Sequence, residues 1–184
     1  VGGVKDTLSS SARINTGLQP EALYINAGVL LIDVERWRKD GRQREFLEYI
    51  AQREGKVFYQ DQGVLNAVLF GDIKVLPPRY NAMTPMLTSG YKRFVSLYRL
   101  EDYYTEHDIL EAVSSPAILH FTPEYVGRVW EEKCRHPKRS YYEKYLDMSP
   151  WKGNIKPRTS VSVKLKLLYW MERNLPVPVL RLLK

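Results

Sequence analysis

The alternation of apolar and polar residues along the chain predicts short strands separated by amphipathic helices. The longest apolar run lies in residues 23–33, LYINAGVLLID, and is rich in Val, Ile and Leu. A run of this length is too short to favour a helix, so it predicts a buried strand. Shorter apolar runs predict strands at 1–5, 73–76 and 116–121. Strands that alternate with helical segments predict an α/β fold.

Apolar residues at helical spacing predict the helices between these strands. Residues 43–52 form one helix with a single apolar stripe. The side chains of that stripe are Phe46, Leu47, Ile50 and Ala51. A second helix begins at Asp61, which stands where an N-cap is expected. A third helix covers 105–113 and begins with a Thr-x-x-Asp capping pattern. A fourth helix covers 141–146. Residues 80–104 have weak periodicity and predict a long irregular segment of the kind that often binds ligands.

The basic charge of the chain is confined to its C-terminal end. Of the net charge of +7, all is carried by residues 152–184, which contain eight Lys or Arg and one Glu. Within 161–184 the cations alternate with Leu, Val, Tyr and Trp, which predicts a helix broken near Pro176 and Pro178. Such a segment favours an anionic membrane surface, although a helix packed on the domain with its lysines in water explains the pattern equally well. No nucleic-acid recognition motif accompanies the charge, so nucleic acid is not an expected partner.

The cysteine content and the hydropathy of the chain bear on its location. Cys134 is the single cysteine, which excludes an internal disulfide and fits a reducing compartment. Cys134 and His136 lie close in sequence, but two potential ligands without a second pair make a poor zinc site. No apolar run reaches the roughly 20 residues that span a bilayer, and the chain does not open with a secretory signal. We therefore expect a cytoplasmic protein, with peripheral attachment to the inner face of the membrane through the basic tail.

Several polar residues stand where apolar runs begin or end, which is where ligands bind in open α/β sheets. His120 follows one predicted strand, Asp61 and Gln62 open a helix, and Asn26 and Gly28 interrupt the start of the longest strand. Taken singly, each residue has an ordinary structural explanation, such as helix capping, pairing of backbone groups or close backbone approach. Their functional signal lies in their order and spacing.

Four sequence blocks occur in one order between Leu23 and Trp130. They read YINAGVLLIDVERW, YQDQGVLN, VLPPRYNA and ILHF followed by Trp. This arrangement resembles glycosyltransferase family 8, the retaining nucleotide-sugar enzymes that include bacterial lipopolysaccharide galactosyl- and glucosyltransferases and glycogenin. The resemblance implies a glycosyltransferase-A-like mixed sheet flanked by helices. It also implies transfer of glucose or galactose from a UDP-sugar to a cell-envelope glycan or lipid-linked acceptor, with retention of configuration.

The resemblance assigns the sugar-binding and reacting groups. Asn26, Ala27 and Gly28 match a turn that lines the sugar pocket, where the amide bonds hydroxyls and the small residues let the hexose approach the backbone. Asp61 and Gln62 match an Asp-Gln pair beside the anomeric carbon, where the carboxylate binds sugar hydroxyls and the amide oxygen faces developing positive charge. Because an amide is a poor nucleophile, the resemblance favours front-side displacement without a stable covalent intermediate.

The resemblance also implies a metal and a diphosphate site. His120 matches a histidine that binds manganese or another divalent cation, which stabilises the departing diphosphate. Arg128 stands in a loop two residues longer than that of the family, where a lysine would contact the diphosphate, and its planar guanidinium suits phosphate. Asp6 matches an aspartate near the acceptor hydroxyls. Gly63 replaces an aspartate of the family and removes one contact.

One family motif is missing from the chain. No Asp-x-Asp occurs, and this motif would supply the other metal ligands from the nucleotide-binding half. With valine at position 1, its absence predicts a C-terminal portion of an enzyme that is inactive alone, in which 1–148 form the acceptor-side part of the domain and 149–184 a basic amphipathic tail. The competing class is a non-catalytic glycan- or membrane-binding module derived from that fold. An Asp-x-Asp upstream of Val1 would favour the enzyme.

Overall fold

The computed structural model describes residues 1–8, 10–122, 126–157 and 163–182. The chain divides into two compact units, and each is assembled from two separate segments. The first unit contains Val1–Ala82 and Tyr98–Leu119, and the second contains Met83–Leu97 and His120–Lys184. The chain contains both helices and short strands, so the predicted α/β class is confirmed.

The helices and strands occur in the following order. The strands are β1 (Gly2–Lys5), β2 (Ile25–Leu31), β3 (Lys74–Val75), β4 (Ala82–Met83) and β5 (Leu119–His120). The helices are α1 (Ser10–Asn15), α2 (Val34–Lys39), α3 (Arg42–Gln52), α4 (Gln60–Val68), α5 (Thr84–Thr88), α6 (Tyr91–Tyr98), α7 (Glu106–Ser114), α8 (Arg139–Asp147), α9 (Val163–Asn174) and α10 (Val177–Leu182). A 3-10 helix covers Pro78–Asn81. No helix within the described part of the chain is long and apolar enough to cross a membrane.

A three-stranded mixed sheet organises the first unit. Its order is β2–β1–β3, with β2 antiparallel and β3 parallel to β1. The register shifts between Gly3 and Val4, so that Val4 pairs with Asn26. The Asp6 N–H then donates to the Tyr24 carbonyl at 2.9 Å, just beyond the paired residues. This register places the Asp6 side chain beside the start of β2.

In the core of the first unit, α4 packs against β2, and α7 packs against the 3-10 helix, which in turn contacts β1 and β2. Val4, Tyr24 and Ile25 from the sheet region are buried, as are Val64 of α4 and Ile109 of α7. Burial of such apolar side chains is the main stabilising contribution in a unit of this size. The predicted strand at 23–33 is therefore confirmed in its central residues as β2.

The helix predicted at 43–52 is confirmed as α3, but its apolar stripe is only partly buried. Phe46 packs against Trp37 with ring centroids 5.1 Å apart. Leu47, in contrast, is 58% exposed, and Ala51 is exposed as well. The reason is that α3 packs against α2 and α4 on one side only.

The irregular segment predicted at 80–104 is wrong, because it contains α5 and α6. Helix α5 opens with Pro85 in its first turn, where proline fits a helix without losing a hydrogen bond. Helix α6 is anchored by Phe94, which is fully buried. Helices of five and eight residues are too short for the periodic pattern to be recognised. Only residues 89–90 and 99–104 of the segment are without a helix or strand.

The helix predicted within 161–184 is found as α9 and α10, which are separated at Leu175 and Pro176 and differ in burial. Helix α10 buries Val177 and Leu180, and the carbonyl of Leu175 that precedes it accepts a 3.0 Å hydrogen bond from Arg93 of α6. Helix α9 instead exposes Val163, Leu167 and Trp170 by 81%, 57% and 56%. Residues 158–162 and 183–184 of the predicted tail lie outside the described residues. The packed-helix interpretation therefore fits α10, and an exposed amphipathic face is found on α9.

Candidate functional site

The first unit joins three of the predicted site residues in one hydrogen-bonded group. Asp6 follows β1, Asn26 lies at the start of β2, and Gln62 lies in the first turn of α4. The Asn26 Nδ2 group donates to Asp6 Oδ2 at 2.8 Å and to Gln62 Oε1 at 3.2 Å. Asp6 and Asn26 are buried, and Gln62 is half-buried. Three blocks that are distant in sequence thus meet at one edge of the sheet.

The side chain of Asn26 uses its full hydrogen-bonding capacity. Its Oδ1 atom accepts from the Gly28 N–H at 3.0 Å and from Asn81 Nδ2 at 3.0 Å. An asparagine amide offers two donors and two acceptor positions, so all four are occupied. The Gly28 donor is a main-chain N–H, which can only face an acceptor. The oxygen of the Asn26 amide must therefore lie on the side of Gly28. A sugar hydroxyl that binds Asn26 must therefore replace one of these partners.

The oxygen of the Gln62 amide also faces protein donors. Its Oε1 atom accepts from the Ala27 N–H at 3.0 Å as well as from Asn26. A main-chain donor again determines the orientation of the amide. For Oε1 to face a positively charged carbon, as the resemblance implies, it must exchange at least one of these two donors.

Two further buried amides complete the group and were not among the predicted site residues. Asn66 of α4 clamps Ile25, because its Nδ2 donates to the Ile25 carbonyl at 2.8 Å and its Oδ1 accepts from the Ile25 N–H at 2.7 Å. Asn81 ends the 3-10 helix and bonds Asn26 as described. The available signal was that both are amides inside apolar blocks, in YQDQGVLN and VLPPRYNA. Asp6, Asn26, Gln62, Asn66 and Asn81 are called the Asn26 cluster below.

The start of α4 differs from the prediction that Asp61 is its N-cap. The N-cap is Tyr59, with φ of 57°, followed by Gln60 with φ of 50°. These left-handed residues turn the main chain into the helix without a side-chain cap, so α4 begins before Asp61. Asp61 is instead exposed in the first helical turn, where the helix dipole favours a negative charge. Strained backbone of this kind is concentrated at functional sites.

Gly63 is required by packing within the first unit. A Cβ atom at this position would lie 1.8 Å from the Phe58 carbonyl oxygen. The replacement of the family's aspartate by glycine therefore has a steric reason, since the main chain at Phe58 crosses this side of α4.

Tyrosine side chains surround the polar end of β1. Burial raises the pKa of Tyr24 to about 12, with a smaller lowering by the nearby Gln62 side chain and a raising by the Asp6 charge. Tyr103 donates its hydroxyl to the Lys5 carbonyl at 2.9 Å, and burial raises the pKa of Tyr103 well above its usual value. Both phenols are therefore neutral at physiological pH. Tyr103 holds the main chain of Lys5, the neighbour of Asp6, together with Tyr104, whose hydroxyl accepts from the Lys5 N–H at 3.0 Å.

The other two predicted site residues, His120 and Arg128, belong to the second unit. His120 ends β5 and is half-buried. Arg128 lies in a segment of residues 126–136, called the Arg128 loop below. The Arg128 N–H donates to Glu131 Oε2 at 3.3 Å, and its guanidinium lies 5.5 Å from the centre of the Trp130 ring. A cation over an indole face is a favourable contact that limits the positions of the guanidinium.

His136 closes the Arg128 loop and is buried. Its Nδ1 atom accepts from the Lys138 N–H at 3.1 Å. Its ring makes a T-shaped contact with the ring of Phe121, with ring centroids 4.9 Å apart. Its Nε2 atom is buried with no hydrogen-bond partner among the described residues. Burial lowers the pKa of His136 to about 4, so the ring is neutral near pH 7.

A complete metal site is not formed by the described residues of this chain. None of their His, Cys, Asp and Glu side chains form a group of three that could hold an ion. The residues present therefore do not fit the metal implied by the resemblance as a self-contained site.

The chain is similar in sequence to known proteins. The sequence model of "Glycosyl transferase family 8" matches residues 1–133. General stress protein A of Bacillus subtilis strain 168 is 30% identical over 130 residues, which cover 70% of this chain and 42% of that protein. The lipopolysaccharide 1,2-glucosyltransferase of Escherichia coli strain K12 is 26% identical over 146 residues, which cover 78% and 39%. The chain thus spans less than half the length of either relative.

A solved structure agrees with the fold. The galactosyltransferase LgtC in complex with donor and acceptor sugar analogues matches with a TM-score of 0.62 at 21% identity. The match covers 90% of this chain and 54% of LgtC, which confirms the glycosyltransferase-A-like fold. Because the family model also covers more than half of the residues, the chain belongs to glycosyl transferase family 8.

Proposed function

We propose that this chain is the C-terminal portion of a retaining hexosyltransferase. The enzyme would transfer glucose or galactose from a UDP-sugar to a glycan or lipid-linked acceptor. Family membership supports glycosyl transfer. The observation that carries the proposal is the hydrogen-bonded union of Asp6, Asn26 and Gln62, which come from three separate segments of the chain.

The sugar would bind against the main chain at the start of β2. Gly28 is exposed and Ala27 is half-buried, so this stretch offers backbone with little side chain in the way of a hexose ring. Asp61 presents an exposed carboxylate next to Gln62, which suits hydroxyl groups of the donor sugar. Asp6 would lie on the acceptor side, with its Oδ2 held by Asn26.

Gln62 would act at the anomeric carbon. Its amide is held by Ala27 and Asn26, so the group is oriented before the substrate arrives. A sugar hydroxyl that takes over the Asn26 donor would leave one lone pair of Gln62 Oε1 for the electron-poor carbon. In front-side displacement the bond to UDP breaks and the acceptor oxygen bonds on the same face, while the acceptor proton leaves with the diphosphate.

The diphosphate would be bound by the second unit. Arg128 would pair with phosphate oxygens through its planar guanidinium. His120 would supply one imidazole to manganese or another divalent cation, with the remaining ligands from outside the described residues. Such an ion acts as a Lewis acid when bound. On this proposal the chain alone is inactive.

A membrane surface is a second proposed partner, and α9 supports it. Its exposed Val163, Leu167 and Trp170 occur at helical spacing, with exposed Lys164 and Lys166 beside them. An apolar stripe with a tryptophan and flanking lysines suits the interface of an anionic bilayer. Trp170→Ala is expected to weaken binding to phosphatidylglycerol vesicles several-fold, whereas Phe70→Ala, an exposed aromatic residue of the first unit, has no effect. Equal binding by both variants would contradict a role for α9.

The enzymatic proposal is tested by hydrolysis of UDP-glucose and UDP-galactose with manganese. The protein extended to its natural start is compared with His120→Ala and with His107→Ala, a control at an exposed histidine of α7. Turnover that is lost in His120→Ala and retained in His107→Ala supports the enzyme. No turnover and no UDP-sugar binding by the extended protein would overturn it and favour a non-catalytic glycan- or membrane-binding module.

A further inference from the structure

We infer that Asn81 is a positioning residue for the reacting groups, acting through Asn26 on Gln62. The inference rests on the proposed function, because it assumes that Gln62 lies at the anomeric carbon. Asn81 itself is fully buried, with 0% of its surface exposed. It therefore influences a bound sugar only through its neighbours.

The backbone around Asn81 is rigidly held within the first unit. Pro78 opens the 3-10 helix Pro78–Asn81 and fixes its own φ angle. The Arg79 carbonyl accepts from the N–H groups of Ala117 and Ile118 at 2.9 Å and 3.1 Å. The Ala82 N–H donates to the Ile118 carbonyl at 2.9 Å. The Asn81 amide is consequently presented to Asn26 from a well-fixed main chain.

The bond from Asn81 supports the orientation of the Asn26 amide that the cluster requires. On one side, Asp6 Oδ2 and Gln62 Oε1 are both acceptors, so they need the Nδ2 group of Asn26. On the other side, the Gly28 N–H and Asn81 Nδ2 are both donors, so they need its oxygen. If the Asn26 amide rotated by half a turn, its oxygen would face the two acceptors and its NH2 group would face the two donors, so all four hydrogen bonds would be lost.

Replacing Asn81 by aspartate reverses one of these contacts with almost no change of shape. A carboxylate oxygen would face Asn26 Oδ1, which is also an acceptor, and both would lack a proton for the contact. An ionised carboxylate therefore forces Asn26 to move away or its amide to rotate, and both responses remove the donor that holds Gln62 Oε1. The Gln62 amide then loses one of its two restraints while the Ala27 N–H remains.

The test is Asn81→Asp in the protein extended to its natural start, measured by UDP-hexose hydrolysis. Misplacing a reacting group lowers kcat on the order of 10- to 100-fold. The affinity for UDP alone, which does not involve Gln62, should stay at the wild-type value. The matched control is Asn154→Asp, which makes the same amide-to-acid change at an exposed position and should leave kcat unchanged.

A double-mutant cycle separates positioning from a general structural role. Asn81→Ala is expected to lower kcat in the wild-type background, yet to add at most about a twofold loss when Gln62→Ala is already present. The comparison of Asn81→Ala in the two backgrounds also tests the inference if Asn81→Asp does not fold. Independent, multiplicative losses would overturn the inference, as would a folded Asn81→Asp variant with wild-type kcat. A wild-type protein without UDP-hexose turnover would overturn the proposed function together with the inference, so the two failures are distinguishable.

Discussion

The Asn26 cluster of the first unit and the Arg128 loop of the second unit are held in different ways. In the cluster, bonded side chains are 20 to 55 residues apart in sequence and come from separate elements. In the loop, Arg128 and Glu131 are three residues apart, and the Arg135 N–H donates to the Val126 carbonyl at 2.8 Å. The cluster therefore joins side chains from separate elements of the unit. The loop instead combines short-range bonds with main-chain pairing, in which the Glu132 N–H donates to the Lys156 carbonyl at 2.9 Å and the Lys156 N–H donates to the Trp130 carbonyl at 2.8 Å.

This difference explains which of the two regions keeps the family pattern. A buried amide that loses its partner remains unsatisfied, which costs about 1–3 kcal/mol per group, so the cluster tolerates little change. The resemblance to the family is accordingly closer at Asn-Ala-Gly and Asp-Gln, although Gly63 replaces the aspartate that follows them. It is weaker in the Arg128 loop, which is two residues longer than the family pattern and carries arginine in place of lysine.

The largest expected effect is a loss of stability in Asn66→Asp, which removes the hydrogen bond that the Asn66 side chain donates to the main chain of Ile25. A carboxylate would face the carbonyls of Ile25 and Gln62, which now accept from Asn66 Nδ2 at 2.8 Å each. We expect the free energy of unfolding to fall by about 3 kcal/mol or more. Urea denaturation of the extended protein measures this change, with Asn154→Asp as the exposed control. A loss below that of an ordinary surface substitution would contradict the importance of the clamp.

The next effect concerns His136 and is a dependence of stability on pH. Because burial lowers the pKa of folded His136 to about 4, the unfolded chain, with a pKa near 6.5, binds the proton first as pH falls. Stability is therefore complete above about pH 6.5 and decreases towards pH 4, by up to about 3 kcal/mol.

The contribution of His136 is isolated by comparing the wild type with His136→Phe. This variant keeps an aromatic ring beside Phe121 but does not titrate, so its stability should change less between pH 6.5 and pH 4. The exposed His107→Phe is the control. Parallel pH profiles for the wild type and His136→Phe would refute the prediction.

A smaller loss of stability is expected for Gly63→Ala. The added methyl group would meet the Phe58 carbonyl oxygen at 1.8 Å, so the main chain must shift, at a cost of about 2 kcal/mol. Gly90→Ala is a matched control because no atom lies within 4 Å of its added Cβ. Thermal unfolding of both variants measures the difference. Equal melting temperatures would contradict the prediction, because they would show that the main chain at Phe58 shifts with no loss of stability.

The smallest effect is expected for Arg128→Lys, in the Arg128 loop of the second unit. A lysine keeps the charge but loses the planar fork, so UDP affinity should fall by about threefold, and by roughly tenfold in Arg128→Ala. Calorimetric titration of UDP into the extended protein provides the measurement, with exposed Arg44→Ala as the control. Unchanged affinity in Arg128→Ala would remove this residue from the proposed diphosphate site.

Most of the longer elements were predictable from sequence because they are periodic over several turns or residues. Strand β2, helix α3 and the Thr105 capping box of α7 are found where the pattern indicates them. Helices α5 and α6 were not predicted because they are short and each relies on tertiary burial, as at Phe94. The N-cap at Asp61 was wrongly predicted because the left-handed turn at Tyr59 has no signature in residue type.

The α/β class, the family and the residue types at the site can be read from the sequence, since these depend on local pattern and order. The way in which those residues are used depends on tertiary contacts. Residues far apart in the chain form the hydrogen bonds of the site. Asn26 bonds Asp6 and Asn81, and Asn66 bonds the main chain of Ile25. Hydrogen bonds of this kind depend on distances of about 3 Å, which sequence spacing does not encode.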